Sequence, residues 1–255
     1  GGWAFAQLYV NDQRRFRPAL PRGGCFFAAG GAEAGPGTAF EYRPGDIDPA
    51  WAATGDAEVL VFHNWSMSRL PLESIDGPAR IVRLRGGTWH PERMTKIAPE
   101  TRYRVENVRA AFGEPGDWFL DRPAGMLRYI PRPGERPDAV AIVAPRLTHL
   151  VRLVGDRKAG RFVEHVIFRG LTFAHTSWTV PPDGYSFCQA EAVLPAAISA
   201  SAARHVAIED CVVRHTGAYA IEFGSGCADD RIERCELIDL GAGGVKIGGI
   251  HAADM

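Results

Sequence analysis

Three stretches decide how the C-terminal part of this chain is built: HVIFRGLTFAHTS (residues 165–177), HVAIEDCVVRHTGAYAIEFG (205–224) and DRIERCELIDLGAGGVKIGG (230–249). Set in register, Phe168, Ile208 and Ile232 coincide, as do Leu171, Cys211 and Cys235, and Phe173, Val213 and Leu237. The second and third stretches continue together, with Gly217 on Gly241, Ile221 on Val245, Phe223 on Ile247 and Gly224 on Gly248. Their offset is 24 residues (241 minus 217), whereas the first two are offset by 40 (205 minus 165) because residues 178–194 enter as an extra loop. A unit this short, made of alternating apolar strands and Gly-rich corners, has no core of its own. Copies stack on one another, and equivalent residues form ladders. The Leu and Asn pattern of a leucine-rich repeat is missing. The expected fold is therefore all-β: a right-handed parallel β-helix over residues 146–255, beside a β-rich region at 1–145.

The upstream region shows strands without repetition. Leu8-Tyr9-Val10 precedes the turn-forming pair Asn11-Asp12, and QRRFR follows at 13–17. Strand-like runs recur at Phe40-Glu41-Tyr42, 57–63 and 79–84. A short helix is expected over 106–112, stopped by Gly113 and Pro115, then a hairpin of Trp118-Phe119-Leu120 with 126–129. Glycine (29) and proline (18) are spread throughout as turn punctuation, which suits many short strands.

Bulk properties exclude some partners. The formal net charge of −1 leaves no basic excess for a phosphate backbone, so nucleic acid is not expected. No apolar run is long enough to span a membrane. The N-terminus GGWAFAQLYV carries neither Met nor a charged leader, so it reads as something other than a native start with a signal peptide. The five cysteines (Cys25, Cys188, Cys211, Cys227, Cys235) are odd in number and lack CxxC spacing, and Cys211 and Cys235 read as buried apolar side chains. No metal and no cofactor is expected, and nothing indicates the oligomeric state.

One ladder position is polar: His175, His215 and Asp239 replace one another two residues after an inward apolar residue. Stacked at layer spacing, roughly 5 Å, two imidazoles and a carboxylate make a cleft able to bind a sugar and move protons. The competing reading is that they cap turns. The inserted loop supplies Trp178, Tyr185 and Phe187, and Tyr219 follows His215; such rings stack on the apolar face of a pyranose. Glycosidic cleavage needs two carboxyl groups. Asp239 is the first candidate; Glu209, Asp210, Glu222, Glu233 and Glu236 are weaker ones, most of them expected to face solvent. Uncharged imidazoles and aromatic rings around Asp239 would raise its pKa and a protonated histidine would lower it.

The segments RFVEHVIFRGLTFAHTSW, PPDGYSFCQAEAVLPAAI and IERCELIDLGAGGVKIG, with upstream QLYVNDQRRFRPALP and YRVENVRAAFGEPGDWFLDRPAGMLRYIPRPGE, resemble glycoside hydrolase family 141. The resemblance covers nearly the whole chain, and DLGAGG is its most specific short motif. It implies a parallel β-helix interrupted near its start by a β-rich insertion, here residues 1–145. It further implies a secreted or periplasmic enzyme acting on plant cell-wall glycans, as an α-L-fucosidase or xylanase, with catalytic aspartates. Asp239 is the position carried over, and a second aspartate is expected beyond Met255, with the layers cut at both ends. Within the insertion, Trp65 and Arg69 (HNWSMSRL) are candidates to reach the substrate. Two other readings stay open. A lyase or epimerase would need Ca²⁺ or cationic groups for a uronate, and a non-catalytic binding β-helix would need aromatics but no paired acid.

Overall fold

The computed structural model describes residues 4–249 except 33, 34, 36, 123, 137 and 188, so Cys188 and Met255 lie outside the described residues. Apart from two 3₁₀ segments, Pro49–Thr54 and Arg109–Ala111, every regular element among the described residues is a strand. None of the helical segments is long and apolar enough to cross a membrane. Contacts divide the chain into two units, one of residues 4, 15–140 and 180–189, the other of 5–14, 141–179 and 190–249.

The first unit is built on antiparallel pairing. Arg102–Glu106 pairs with Glu58–Phe62, which pairs with Met67–Asp76, which pairs in turn with Ile81–Leu84 and then Ala39–Glu41. Side chains alternate at period two, so Tyr103 and Val105 face inward with Val59, Val61, Leu70, Val82 and Phe40, all at most 1% exposed. A second hairpin sets Trp118 opposite Tyr129. The helix expected over 106–112 does not form. Glu106 ends a strand, and Asn107 at φ 60° leaves the right-handed helical region, so only the short 3₁₀ turn follows.

The second unit is built on parallel pairing, and its register is the one in which the three stretches align. Phe168 lies beside Ile208 and Ile208 beside Ile232; Phe173, Val213 and Leu237 are likewise adjacent, as are Ile221 with Val245 and Phe223 with Ile247. A further sheet runs Val151–Val154, Ala196–Ser201, Tyr219–Phe223, Val245–Ile247. The middle layer is the core. Ile208, Val213 and Ile221 are fully buried, each burial worth roughly 1.5–3 kcal/mol. In the edge layers the equivalent residues are paired on one side only among the described residues, so Phe168, Ile232 and Cys235 are half-buried and Leu171 is 45% exposed rather than buried. Cys25, Cys211, Cys227 and Cys235 are free thiols.

Glycines at the last corner permit close layering. A Cβ on Gly217 would come within 2.4 Å of the Ser177 and Trp178 backbone, and one on Gly241 within 2.1 Å of the Gly217 carbonyl oxygen. One added methyl would push the layers apart.

At the start of this unit, Leu8–Val10 and Gln13–Arg15 form a hairpin through Asn11 and Asp12, at φ 50° and 60°. Left-handed conformation at both central residues is the type I′ pattern, which Asn and Asp accommodate. The hairpin's other edge pairs Tyr9 with Val143.

Candidate functional site

Backbone conformation alone explains why polar residues stand on the ladder. His175, His215 and Asp239 have φ of 66°, 55° and 50°, the left-handed region most accessible to Gly, Asn, Asp and His. Other corners of the repeat behave alike, with His165, His205 and Asp229 at 58°, 53° and 58°. That corner even repeats the order His, His, Asp. Its three residues are nevertheless exposed, and its imidazoles stack on each other at 4.9 Å. A polar corner is therefore not in itself a site.

The 175/215/239 corner differs because the hairpin supplies Tyr9, Asp12 and Arg14 against it. The Tyr9 ring lies 4.9 Å from each imidazole, and the imidazoles stack at 5.2 Å. Arg14 Nε donates to Asp239 Oδ1 at 2.7 Å, and its guanidinium also donates to the carbonyls of Thr216 (3.0 Å) and Asp239 (2.9 Å). On the other carboxylate oxygen, Asp239 Oδ2 lies 2.7 Å from His215 Nδ1, which donates to it. Arg14 sits over the Tyr9 ring at 5.0 Å.

These contacts set the charge state. Partial burial pushes the Asp239 carboxyl up, but Arg14 and His215 outweigh it and hold the group below the usual carboxylate range. Burial, with His215 beside it, pushes His175 below the ordinary imidazole range against the pull of Asp12. Burial likewise keeps the Tyr9 phenol protonated, opposed by Arg14 and reinforced by the Asp239 charge. The cation that fixes the sign for Asp239 is thus an arginine 225 residues away in sequence.

Asp12 completes the cluster. Its Oδ1 lies 3.1 Å from His215 Nε2 and 3.6 Å from His175 Nε2, while Oδ2 is ion-paired with Arg214. Neither Nε2 has a hydrogen-bond partner among the described residues, although both are buried. Asp12, His175 and His215 each offer one ligand atom within 4.8 Å of the others. The sequence reading missed Tyr9, Asp12 and Arg14. Only the Asn11-Asp12 turn signal was visible there, and it says nothing of what the hairpin covers.

The remaining sequence candidates fall elsewhere. Trp178 belongs to the second unit, half-buried, its N–H donating to Gln7 Oε1 at 3.0 Å. Tyr219 is 8% exposed rather than an open wall; its hydroxyl donates to the Ala190 carbonyl and its ring lies against Gly243. Tyr185, Trp65 and Arg69 belong to the first unit. There Arg69 donates to Glu58 (2.7 Å) and Glu106 (2.5 Å), its backbone bridges Tyr185, and Trp65 stands 66% exposed on a hairpin tip. Of the further carboxylates, Glu209 is buried between Arg169 and Arg231 rather than facing solvent. Asp210 pairs with Arg234, Glu222 with Lys246 and Glu233 with Arg234, while Glu236 is exposed.

No family model matches the chain, and no curated protein does. A solved structure of a glycoside hydrolase superposes with a TM-score of 0.81 over 98% of this chain and 49% of its own, at 18% identity. This chain therefore spans about half the length of that structure and has a glycoside hydrolase-like fold.

Proposed function

We propose that this chain is part of a glycoside hydrolase of family 141 type, secreted or periplasmic and acting on plant cell-wall polysaccharide as a fucosidase or xylanase would. In this reading residues 146–255 are layers of a right-handed parallel β-helix and residues 1–145 its β-rich insertion. The observation that carries the proposal is Asp239: an ionised carboxylate, oriented by Arg14 and His215, with 30% of its side chain open to solvent. Both stereochemical routes of glycoside hydrolysis need one carboxylate that is ionised at working pH and one carboxylic acid that protonates the leaving oxygen. Asp239 suits the first role, nucleophile or base, and not the second. Glu209, Asp210, Glu222 and Glu233 are each committed to cations, so none of these four is assigned as the acid.

His175 and Trp178 are proposed substrate contacts, the imidazole for a sugar hydroxyl and the indole for a ring face, with His215 holding Asp239. Arg69 and Tyr219 serve the internal structure that their partners describe, and Tyr185 and the exposed Trp65 belong to the first unit and are given no part in the Asp239 site. The test is reducing-sugar release from a panel of fucosylated and xylan-type glycans, comparing the wild-type protein with Asp239→Asn. Turnover is expected to fall at least about a thousandfold with circular dichroism unchanged. Activity within about tenfold of wild type would remove Asp239 from the reaction. Release of an unsaturated uronide in place of hydrolysis products would point to a lyase instead.

A further inference from the structure

We propose that Asp12, His175 and His215 bind one divalent transition-metal ion of the zinc class. The inference starts from a conflict in the site. His215 Nδ1 donates to the Asp239 carboxylate, so in the neutral ring Nε2 carries a lone pair, and that lone pair sits 3.1 Å from a carboxylate oxygen of Asp12. Two electron-rich atoms at this distance repel unless positive charge lies between them. His175 Nε2 faces the same oxygen at 3.6 Å. Both nitrogens are buried without a hydrogen-bond partner among the described residues, and His215 is only 6% exposed. One proton can bridge one of these contacts, whereas one metal ion answers both.

The distances suit such an ion. Zinc bonds of about 2.0–2.1 Å to nitrogen and oxygen in a tetrahedron place neighbouring ligand atoms about 3.3 Å apart, between the two separations found here. The three ligand atoms lie within 4.8 Å of one another, and the nitrogens would close towards the ion to reach that spacing. Imidazole donors favour zinc-like ions over Ca²⁺ or Mg²⁺. The surrounding contacts are those of a prepared ligand set, with Asp239 behind His215 in a carboxylate–histidine arrangement and Arg214 holding the second oxygen of Asp12. Three protein ligands leave a fourth position open. The inference shares His175 and His215 with the hydrolase reading, and with Nε2 of His175 on the ion only its Nδ1 is left for a sugar hydroxyl. The test reads metal binding alone, so it can fail without touching the hydrolase reading.

The repeat provides its own control, since His165 and His205 occupy the same left-handed corner one step earlier, stacked and exposed. The experiment strips the protein with chelator and titrates Zn²⁺ by calorimetry, with Co²⁺ ligand-field absorption reporting geometry. Expected are one ion per chain, at least a tenfold weaker affinity in Asp12→Asn, and at least a hundredfold weaker affinity in His175→Asn and His215→Asn. Asparagine is chosen because it tolerates the left-handed corner and so preserves the backbone. His165→Asn and His205→Asn should bind within twofold of wild type. No saturable binding, unchanged affinity in Asp12→Asn, or loss in the 165 or 205 variants would each overturn the proposal.

Discussion

Replacing Arg14 with methionine keeps an unbranched apolar side chain and removes the guanidinium, together with its position over the Tyr9 ring. A hydrogen bond between charged groups contributes about 1.5–3 kcal/mol, and the 30% exposure of the Asp239 side chain argues for the lower end, about 1.5 kcal/mol. The two carbonyl acceptors, that of the fully buried Thr216 and that of Asp239, lose a donor and add about 1 kcal/mol or more together. Arg14→Met should therefore cost about 2.5 kcal/mol near neutral pH, but only about 1 kcal/mol when Asp239 is already Asn. Urea unfolding of the four proteins in this double-mutant cycle gives the coupling directly. Its pH dependence is the stricter check. The carboxyl titrates lower in the folded protein than in the unfolded chain, so its contribution is complete above the unfolded value of about 4 and is lost as pH falls through the folded one. A coupling below about 0.5 kcal/mol, or one that does not shrink as pH is lowered from the unfolded value of about 4 through the lower folded one, would show that Arg14 does not set the charge of Asp239.

Gly217→Ala should destabilise the protein by roughly 3 kcal/mol or more, because the new Cβ meets unyielding backbone at Ser177 and Trp178, while Gly113→Ala, in open space, should leave the melting temperature unchanged. Glu58 accepts from both Arg17 and Arg69 while buried, so Glu58→Gln should cost roughly 3 kcal/mol in chemical denaturation by leaving two guanidiniums short of charge. His63 is pushed down to about 4 by burial, so its imidazole resonances should not titrate between about pH 8 and 5. Because the unfolded chain takes up that proton first, stability should decline as pH falls from about 6.5 towards 4, and His63→Gln should flatten the decline.

The layering of the second unit was legible because apolar residues repeat at one spacing. Phe168, Ile208 and Ile232 align on paper for the same reason they pair in space: each layer must bury the same face as its neighbour. Leu171 escaped the reading because repetition reports equivalence of position, not whether a layer is covered on both sides. At the site, His175, His215 and Asp239 were found through the same periodicity. Tyr9, Asp12 and Arg14 were not, since a hairpin that packs on residues more than 160 positions away leaves no period to detect. The Glu106 helix failed for a local reason, the left-handed Asn107, which outweighed an otherwise helix-compatible composition.

The left-handed corners carry an evolutionary consequence. A bend of this kind admits a short palette, chiefly Gly, Asn, Asp and His, and three of those four are also side chains that ligate metals or accept and donate hydrogen bonds. Conformational tolerance and reactivity therefore draw on the same residues. Chemistry can be gained or lost at a corner by one substitution without remodelling the strands on either side. His165, His205 and Asp229 already carry the residue types of the buried corner on an open surface. What they lack is a neighbouring segment to enclose them, so a new site on such a scaffold waits on a covering loop more than on new functional groups.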